Sequence, residues 1–160
     1  MTSNALAEDP HRDVIYAAEN QAMPSGGRHF SRFTDLEAYV ESVLAGSWWD
    51  REFPAAPLEV QLIRRSRSAT FSAAAVDRTG DEAAIWIRDG SWDAVTVVHE
   101  LAHVASAQPT TSPDPTGPHG QEFATALLLM WREFLGLHAY GALLSGFDDH
   151  GVPYRRERLF

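Results

Sequence analysis

A His-Glu-x-x-His motif inside an apolar segment constrains the fold of this chain more than any other feature. His99 and His103 lie four residues apart in a segment with helical periodicity, from Val97 to Val104. Side chains four residues apart share one face of an α-helix, so both imidazoles can reach the same metal ion. The opposite face is apolar: Val98, Leu101, Ala102 and Ala105. The pattern therefore predicts a helix whose back is buried and whose polar stripe lines a cleft.

Glu100 follows the first histidine of the motif directly. A carboxylate in this position can take a proton from a water that a metal activates and can later protonate a leaving amine. Two histidines and a glutamate at this spacing are the sequence signature of zinc metalloproteases. We therefore predict His99 and His103 as metal ligands and Glu100 as the catalytic base. The alternative is a surface helix with incidental histidines.

A third ligand is expected, because catalytic zinc usually takes three protein ligands and keeps one position for water. His119 is the best candidate, since residues 108–118 contain four prolines and a glycine, which end the helix and turn the chain back. Glu122, one helical turn further on, is the alternative third ligand or a residue that orients a ligating imidazole. The loop 108–118 is expected next to the site, either as a lid or specificity element or as an inert connector.

The motif, a spacer of fifteen residues and the element His119-Gly120-Gln121-Glu122-Phe123 resemble the SprT-like zinc metallopeptidases. In that family HExxH is followed by a His-Gly-x-x-aromatic element. The resemblance covers about residues 97–135 and looks closest to the small single-domain metallohydrolases of this type in actinobacteria and their phages. It implies Zn²⁺ as the cofactor, three histidine ligands (His99, His103 and His119) and Glu100 as the catalytic glutamate.

Composition sets limits on the other classes of function. With 160 residues, of which 44% are hydrophobic, the chain is expected to form one domain over residues 1–160, with 1–9 flexible. The absence of cysteine excludes a thiol nucleophile and the four-Cys ribbon that many SprT-like relatives carry. A net charge of −9 disfavours nucleic acid as a partner. No apolar run of membrane length and no signal-peptide pattern occurs, so we expect a cytoplasmic protein without membrane association.

Two helices are predicted before the first strand. Asp9-Pro10 is typical of a helix start, and a second helix over 35–45 is preceded by a capping box that Thr34 and Glu37 form. Trp48 and Trp49 are predicted to lie in a proline-containing connection and to pack onto the core.

Three strands are predicted in the middle of the chain, at 58–62, 70–76 and 84–88. The turn residues 77–81 indicate a hairpin between the second and third strands. Residues 89–91 are expected to cap the helix that carries His99. A long helix over about 120–136 and a short one over 137–144 follow, and then a turn at 147–151.

This order predicts an α+β fold with a small three-stranded or larger antiparallel or mixed sheet and helices on one face. The resemblance implies a zincin-like minimal metalloprotease domain with the motif on a central helix. In such peptidases an edge strand beside the metal helix pairs with the substrate backbone, and residues 83–88 are the candidate.

The predicted function is zinc-dependent hydrolysis of a peptide bond, with a peptide or protein as substrate. A zinc-binding interaction module without turnover and a hydrolase of a small-molecule amide are the alternatives. Such enzymes usually add a donor for the oxyanion of the transition state. The sequence does not distinguish among four candidates for this donor: Tyr140, His150, Tyr154 and Arg88. The oligomeric state also stays open.

Overall fold

The computed structural model describes residues 9–69, 71–77, 79–107 and 117–160, which form an α+β fold. Most of loop 108–118 and residues 1–8 lie outside the described residues, so the predictions for these segments have no structural counterpart here. The elements in chain order are α1 (Arg12–Ala22), α2 (Phe33–Ala45), α3 (Ser47–Glu52), β1 (Glu59–Arg65), β2 (Ala73–Val76), β3 (Glu82–Arg88), α4 (Ala94–Ser106), α5 (Gln121–Met130), a π-helical turn (Trp131–Leu135), α6 (Leu137–His150) and α7 (Arg156–Leu159).

A three-stranded mixed sheet has the order β1-β3-β2. Strand β1 runs parallel to β3, and β2 pairs with β3 in antiparallel orientation, which confirms the predicted hairpin. Ile85 and Ile87 of β3 are fully buried, as the central strand of a covered sheet requires. The prediction of residues 83–88 as a free edge is therefore wrong, because β3 is hydrogen-bonded on both sides.

The motif helix α4 is confirmed, but its cap differs from the prediction. The Asp93 side chain accepts a hydrogen bond of 2.8 Å from the backbone N–H of Thr96, so Asp93 is the N-cap and residues 89–91 are not. A carboxylate at this position satisfies one of the free N–H groups of the first turn. Helix α4 is buried over most of its surface and packs against β2, β3 and α5.

Both predicted caps in the N-terminal part are wrong. Helix α1 begins at Arg12, and the Asp9 side chain bonds His119 where a helix cap was expected. Helix α2 begins at Phe33 without a side-chain cap, so Thr34 already lies within its first turn. The residues after Gly46 form the short helix α3, in which Trp49 is fully buried, as its predicted core role requires.

The C-terminal part is more helical than predicted. Helix α5 ends at Met130 in a π-helical turn, and α6 continues to His150 through the segment that was predicted as a turn. Gly151 ends α6 with φ = 67°, a left-handed conformation that glycine adopts without strain. No helix in the described part of the chain is long and apolar enough to cross a membrane, and the cytoplasmic location stays a prediction.

Helix α1 is held in place by packing on α6. Ile15 and Ala18 are buried, and they belong to one apolar cluster that includes Leu101 of α4, Leu127 of α5 and Phe147 of α6. This packing brings the N-terminal helix next to α4, although the two helices are separated by the whole sheet in sequence. One face of α1 therefore borders the motif histidines.

Candidate metal centre

Three histidines from two parts of the chain meet at the polar face of α4. His99 and His103 belong to α4, and His119 lies just before Gly120, the N-cap of α5. Each offers a nitrogen within 4.8 Å of the other two, and Nε2 of His99 is 3.3 Å from Nε2 of His119. Two nitrogen ligands of a tetrahedral zinc ion lie roughly 3.3 Å apart when each bond is about 2.0–2.1 Å. The three imidazoles are thus close enough to bind one metal ion.

Two aromatic rings pack against the histidines. The Phe123 ring stacks on His103 with the centroids 4.2 Å apart, and Tyr16 stacks on His99 with centroids 4.7 Å apart. Phe123 is buried, and its ring fixes the plane of an imidazole. Tyr16 of α1 was not predicted as a site residue.

Two carboxylates bind the outer nitrogens of the imidazoles. Nδ1 of His99 lies 2.8 Å from Oε1 of Glu19, and Nδ1 of His119 lies 2.7 Å from Oδ2 of Asp9. An Nδ1–H donated to a carboxylate leaves Nε2 with its lone pair free for a metal. Sequence reasoning missed both residues, because they are 80 and 110 positions from their partners. The one local signal is that Glu19 follows Ala18 on the buried face of α1.

Glu100 lies beside this cluster and is only 3% exposed. Burial raises the pKa of its carboxyl group to about 7, and the charge of Glu19 raises it further, while the charge of His99 opposes the shift. A general base is most effective when its pKa is near the working pH. In the metal-free site, burial therefore brings the pKa of Glu100 into the range in which a carboxyl group can exchange protons near neutral pH.

The histidine pKa values follow from burial and from the two outer carboxylates. Burial lowers the pKa of His103 well below its usual range, so this imidazole is neutral and keeps a lone pair. Burial also lowers the pKa of His119, against the opposing effect of Asp9. For His99, burial acts downward as well, but the Glu19 carboxylate outweighs it and the pKa is raised.

Three carboxylate oxygens around the histidines bear on whether a metal ion fits this site. Within the described residues, Oδ1 of Asp9, Oε2 of Glu19 and Oε2 of Glu100 are buried without a hydrogen-bond partner. Buried charge is costly unless it is paired. A divalent cation among the histidines would offset this negative charge, and a set of three imidazoles suits zinc, copper, iron and nickel. The residues present therefore fit a metal ion, without specifying which one.

Glu122 does not join the cluster. Its carboxylate accepts a hydrogen bond from Nε of Arg155, and among the described residues the group of potential ligand atoms consists of His99, His103 and His119. Glu122 was the predicted alternative for orienting a ligating imidazole. In the structure Glu19 and Asp9 contact the imidazoles instead.

Of the four candidate oxyanion donors, Arg88 is placed beside the cluster. It lines a cavity of about 180 Å³ together with Tyr16, His99 and Glu100. The Tyr154 hydroxyl donates to Asp148, and His150 is exposed at the end of α6. Tyr140 is buried against Arg132. The structure thus adds Tyr16 to Arg88 as a polar group that faces the same cavity as Glu100.

Comparison of the chain with family models, curated proteins and solved structures gave no match. The resemblance to SprT-like peptidases rests on the motif alone and stays a prediction.

Proposed function

We propose that this chain is a zinc-dependent hydrolase with a zincin-like arrangement, and that it cleaves peptide bonds. One observation carries the proposal: a buried carboxyl group with a pKa near 7 lies beside three clustered imidazoles. Glu100 also leaves one buried oxygen without a partner in the described structure. A site that only binds a metal for stability needs no such group, so the arrangement supports catalysis over a silent zinc-binding module.

The residues divide into ligands and a base. His99, His103 and His119 would hold the zinc ion, which when bound polarises a carbonyl group and lowers the pKa of water. Glu100 accepts a proton from the attacking water and delivers it to the leaving amine. Arg88 and Tyr16 line the cavity beside Glu100, which supports them as donors of hydrogen bonds to the oxyanion.

An extended peptide is the proposed substrate, because β2 is an outer strand that packs against α4. Within the described strands β2 pairs on one side only, and we assign its other edge the role that was predicted for residues 83–88. Backbone hydrogen bonds to such an edge bind peptides largely without regard to sequence. The four residues of β2, Ala73–Val76, carry small side chains that do not obstruct an approaching strand.

The cavity volume favours a second candidate function. About 180 Å³ is small beside the roughly 300–1,000 Å³ of pockets that enclose whole drug-sized ligands. It suits a single side chain of a peptide, but it also suits a small-molecule amide. Substrate length distinguishes the two, since a peptidase that uses β2 hydrolyses long peptides better than short amides.

The decisive experiment measures metal content by elemental mass spectrometry for the wild type, His119→Ala and Glu122→Ala. We expect about one zinc per chain in the wild type and in Glu122→Ala, and a large loss in His119→Ala. The wild type is then tested on a peptide library and on small amides. A wild type that takes up no zinc on reconstitution would refute the hydrolase, as would a zinc-loaded protein that cleaves neither class of substrate.

A further inference from the structure

Both carboxylates that contact the histidines come from one N-terminal segment. Glu19 lies on α1 and Asp9 lies three residues before that helix. Each bonds an imidazole with one oxygen and leaves the other oxygen buried without a partner in the described part of the chain. Glu19 is 2% exposed, so water does not compensate its charge. The same arrangement therefore occurs twice, on two different histidines.

Fold stability does not explain these two carboxylates. A buried charge that lacks part of its hydrogen bonding destabilises a protein relative to a neutral group of the same shape. The apolar contacts of α1 with α6, such as that of Ala18, hold the helix in place without help from Glu19. A cation bound by the histidines offers the missing compensation, since its charge lies on the far side of each imidazole.

We propose that Asp9 and Glu19 are positioning residues of the metal centre and that metal binding and the docking of helix α1 stabilise each other. The proposal rests on the metal-binding part of the proposed function and is independent of the reaction that the site catalyses.

The geometry explains how the coupling arises. Each carboxylate accepts the Nδ1–H of a histidine and thereby fixes the tautomer and the ring so that Nε2 faces the other ligands. This orientation produces the 3.3 Å separation between Nε2 of His99 and Nε2 of His119. Coupling between two binding equilibria is reciprocal. If α1 raises metal affinity, a bound metal must hold α1 more firmly against α4.

His103 provides an internal contrast. Within the described residues no carboxylate bonds its ring, which is held by the stack on Phe123 of α5. The N-terminal segment that contains Asp9 and α1 therefore orients two of the three ligands and leaves the third to a different element. Displacement of α1 is expected to weaken the metal site without abolishing it.

The first test compares Glu19→Gln and Asp9→Asn with Asp13→Asn. Asp13→Asn is the matched control, because it removes one negative charge from α1 at a side chain that is 97% exposed. Dissociation constants for Zn²⁺ and Co²⁺ are measured by competition with a chelator. Loss of a carboxylate behind a metal ligand typically weakens binding about 10–100-fold, and we expect this for both site variants but not for the control.

The second readout separates positioning from simple structural support. The melting temperature of each variant is measured in the metal-free protein. We expect melting temperatures close to that of the wild type, because the amide oxygen of Gln or Asn can still accept the Nδ1–H of the histidine and no buried charge remains. A structural role predicts the opposite, with a lower melting temperature and an unchanged metal affinity, and would overturn the proposal.

Hydrogen exchange tests the coupling to α1 directly. Zinc is expected to slow exchange of the α1 amides, 12–22, in the wild type, with no change in α2, 33–45. The slowing disappears in Glu19→Gln and persists in Asp13→Asn. Equal protection of α1 with and without zinc would overturn the coupling. If Glu19→Gln does not fold, Asp9→Asn decides, because the Asp9 side chain is 19% exposed and its replacement perturbs the interior less.

The outcomes also separate this inference from the proposed function. A wild type that binds neither Zn²⁺ nor Co²⁺ refutes both. A wild type that binds zinc and cleaves nothing refutes the hydrolase and leaves the coupling intact. Site variants with metal affinity within twofold of the wild type refute the coupling alone.

Discussion

At Glu100 the chain buries an ionisable group at a cost in stability. The carboxyl group is 3% exposed, its pKa is raised to about 7, and one oxygen has no partner in the described structure. Strongly shifted pKa values at buried groups in a cleft cluster at functional sites. In our proposal the carboxyl group of Glu100 is not a metal ligand. Its removal therefore tests the chemical step separately from metal binding.

We expect Glu100→Gln to lose hydrolysis by at least about 100-fold, because general acid–base catalysis contributes roughly 10²–10⁴. Zinc content stays at the wild-type level, since the three imidazoles are intact. Activity and zinc are measured on the same preparation. Retention of more than a tenth of wild-type activity would exclude Glu100 as the base.

Tyr16 adds a hydroxyl group to the same cavity while its ring stacks on His99. Tyr16→Phe keeps the ring and removes the donor. Loss of one oxyanion donor typically costs 10²–10³ in kcat, and we expect a decrease of at least about tenfold with unchanged metal affinity. Tyr39→Phe is the control, because that ring packs on Phe30, away from the histidines. An unchanged kcat in Tyr16→Phe would leave Arg88 as the proposed donor.

Among the elements, the contact of α1 with α6 sets the position of the outer carboxylates. A side chain at Gly146 would place its Cβ 3.3 Å from Cβ of Ala18, whereas a side chain at Gly141 on the same helix would meet open space. The two glycines therefore form a matched pair for testing how far the site depends on this packing.

Gly146→Leu is expected to lower the free energy of unfolding by about 1–3 kcal/mol through overpacking. Zinc affinity should fall as well, because Glu19 moves with α1. Gly141→Leu should raise stability by about 0.5–1 kcal/mol, since a helix interior favours leucine over glycine. Urea denaturation and chelator competition measure both quantities. If Gly146→Leu and Gly141→Leu changed the unfolding free energy and the zinc affinity equally, the metal site would not depend on the packing of α1 on α6.

The turn between β2 and β3 depends on one carboxylate. Oδ2 of Asp77 accepts from the Thr79 hydroxyl at 2.8 Å, and Oδ1 accepts the backbone N–H of Asp81 at 3.1 Å. The Thr79 hydroxyl is the main cause that lowers the pKa of Asp77 below its usual 3.8. The charged form is thus favoured by the native turn, which places the outer strand β2 beside α4.

Asp77→Asn is expected to lower the urea midpoint at about pH 6. A carboxyl group with a lowered pKa stabilises the folded state above its unfolded pKa and loses this contribution as pH falls through the folded value. The difference between the wild type and the variant should therefore shrink as pH falls below about 3.8. Denaturation at a series of pH values measures it, and a constant difference would contradict the assignment.

For the whole molecule, the metal site is added to a core that does not require it. In the described part of the chain, fully buried side chains from eight elements form one apolar cluster, and the histidines lie at its border. Small zinc domains without such a core unfold when the metal is removed. The metal-free chain is expected to remain folded here.

We expect zinc to raise the melting temperature and a chelator to reverse the effect. A ligand at 100 times its dissociation constant stabilises the folded state by about 2.7 kcal/mol. Far-ultraviolet circular dichroism of the metal-free protein should match that of the zinc-loaded protein below the transition. Loss of the helical signal on chelation would show that the metal is required for folding.

The sequence by itself determined the features that depend on residues close together in the chain. A four-residue spacing on one helix face brings His99 and His103 together, and the residues that follow the motif predicted His119 as their partner, which the structure places beside them. Strand patterns and turn residues likewise predicted the α+β class and the β2–β3 hairpin. These predictions held because the interactions behind them act between residues near in the chain.

Tertiary structure alone decided which partners surround the histidines and which strand is central. Glu19 and Asp9 reach His99 and His119 only because α1 packs on α6, and no local pattern encodes a contact across 80 or 110 residues. Strand order follows from the pairing of β3 with both β1 and β2, which places β3 in the middle and leaves β1 and β2 at the two edges of the described sheet. The periodicity of a sequence shows which face of each helix or strand is buried. Which helices and strands become neighbours depends on burying all of these faces at the same time.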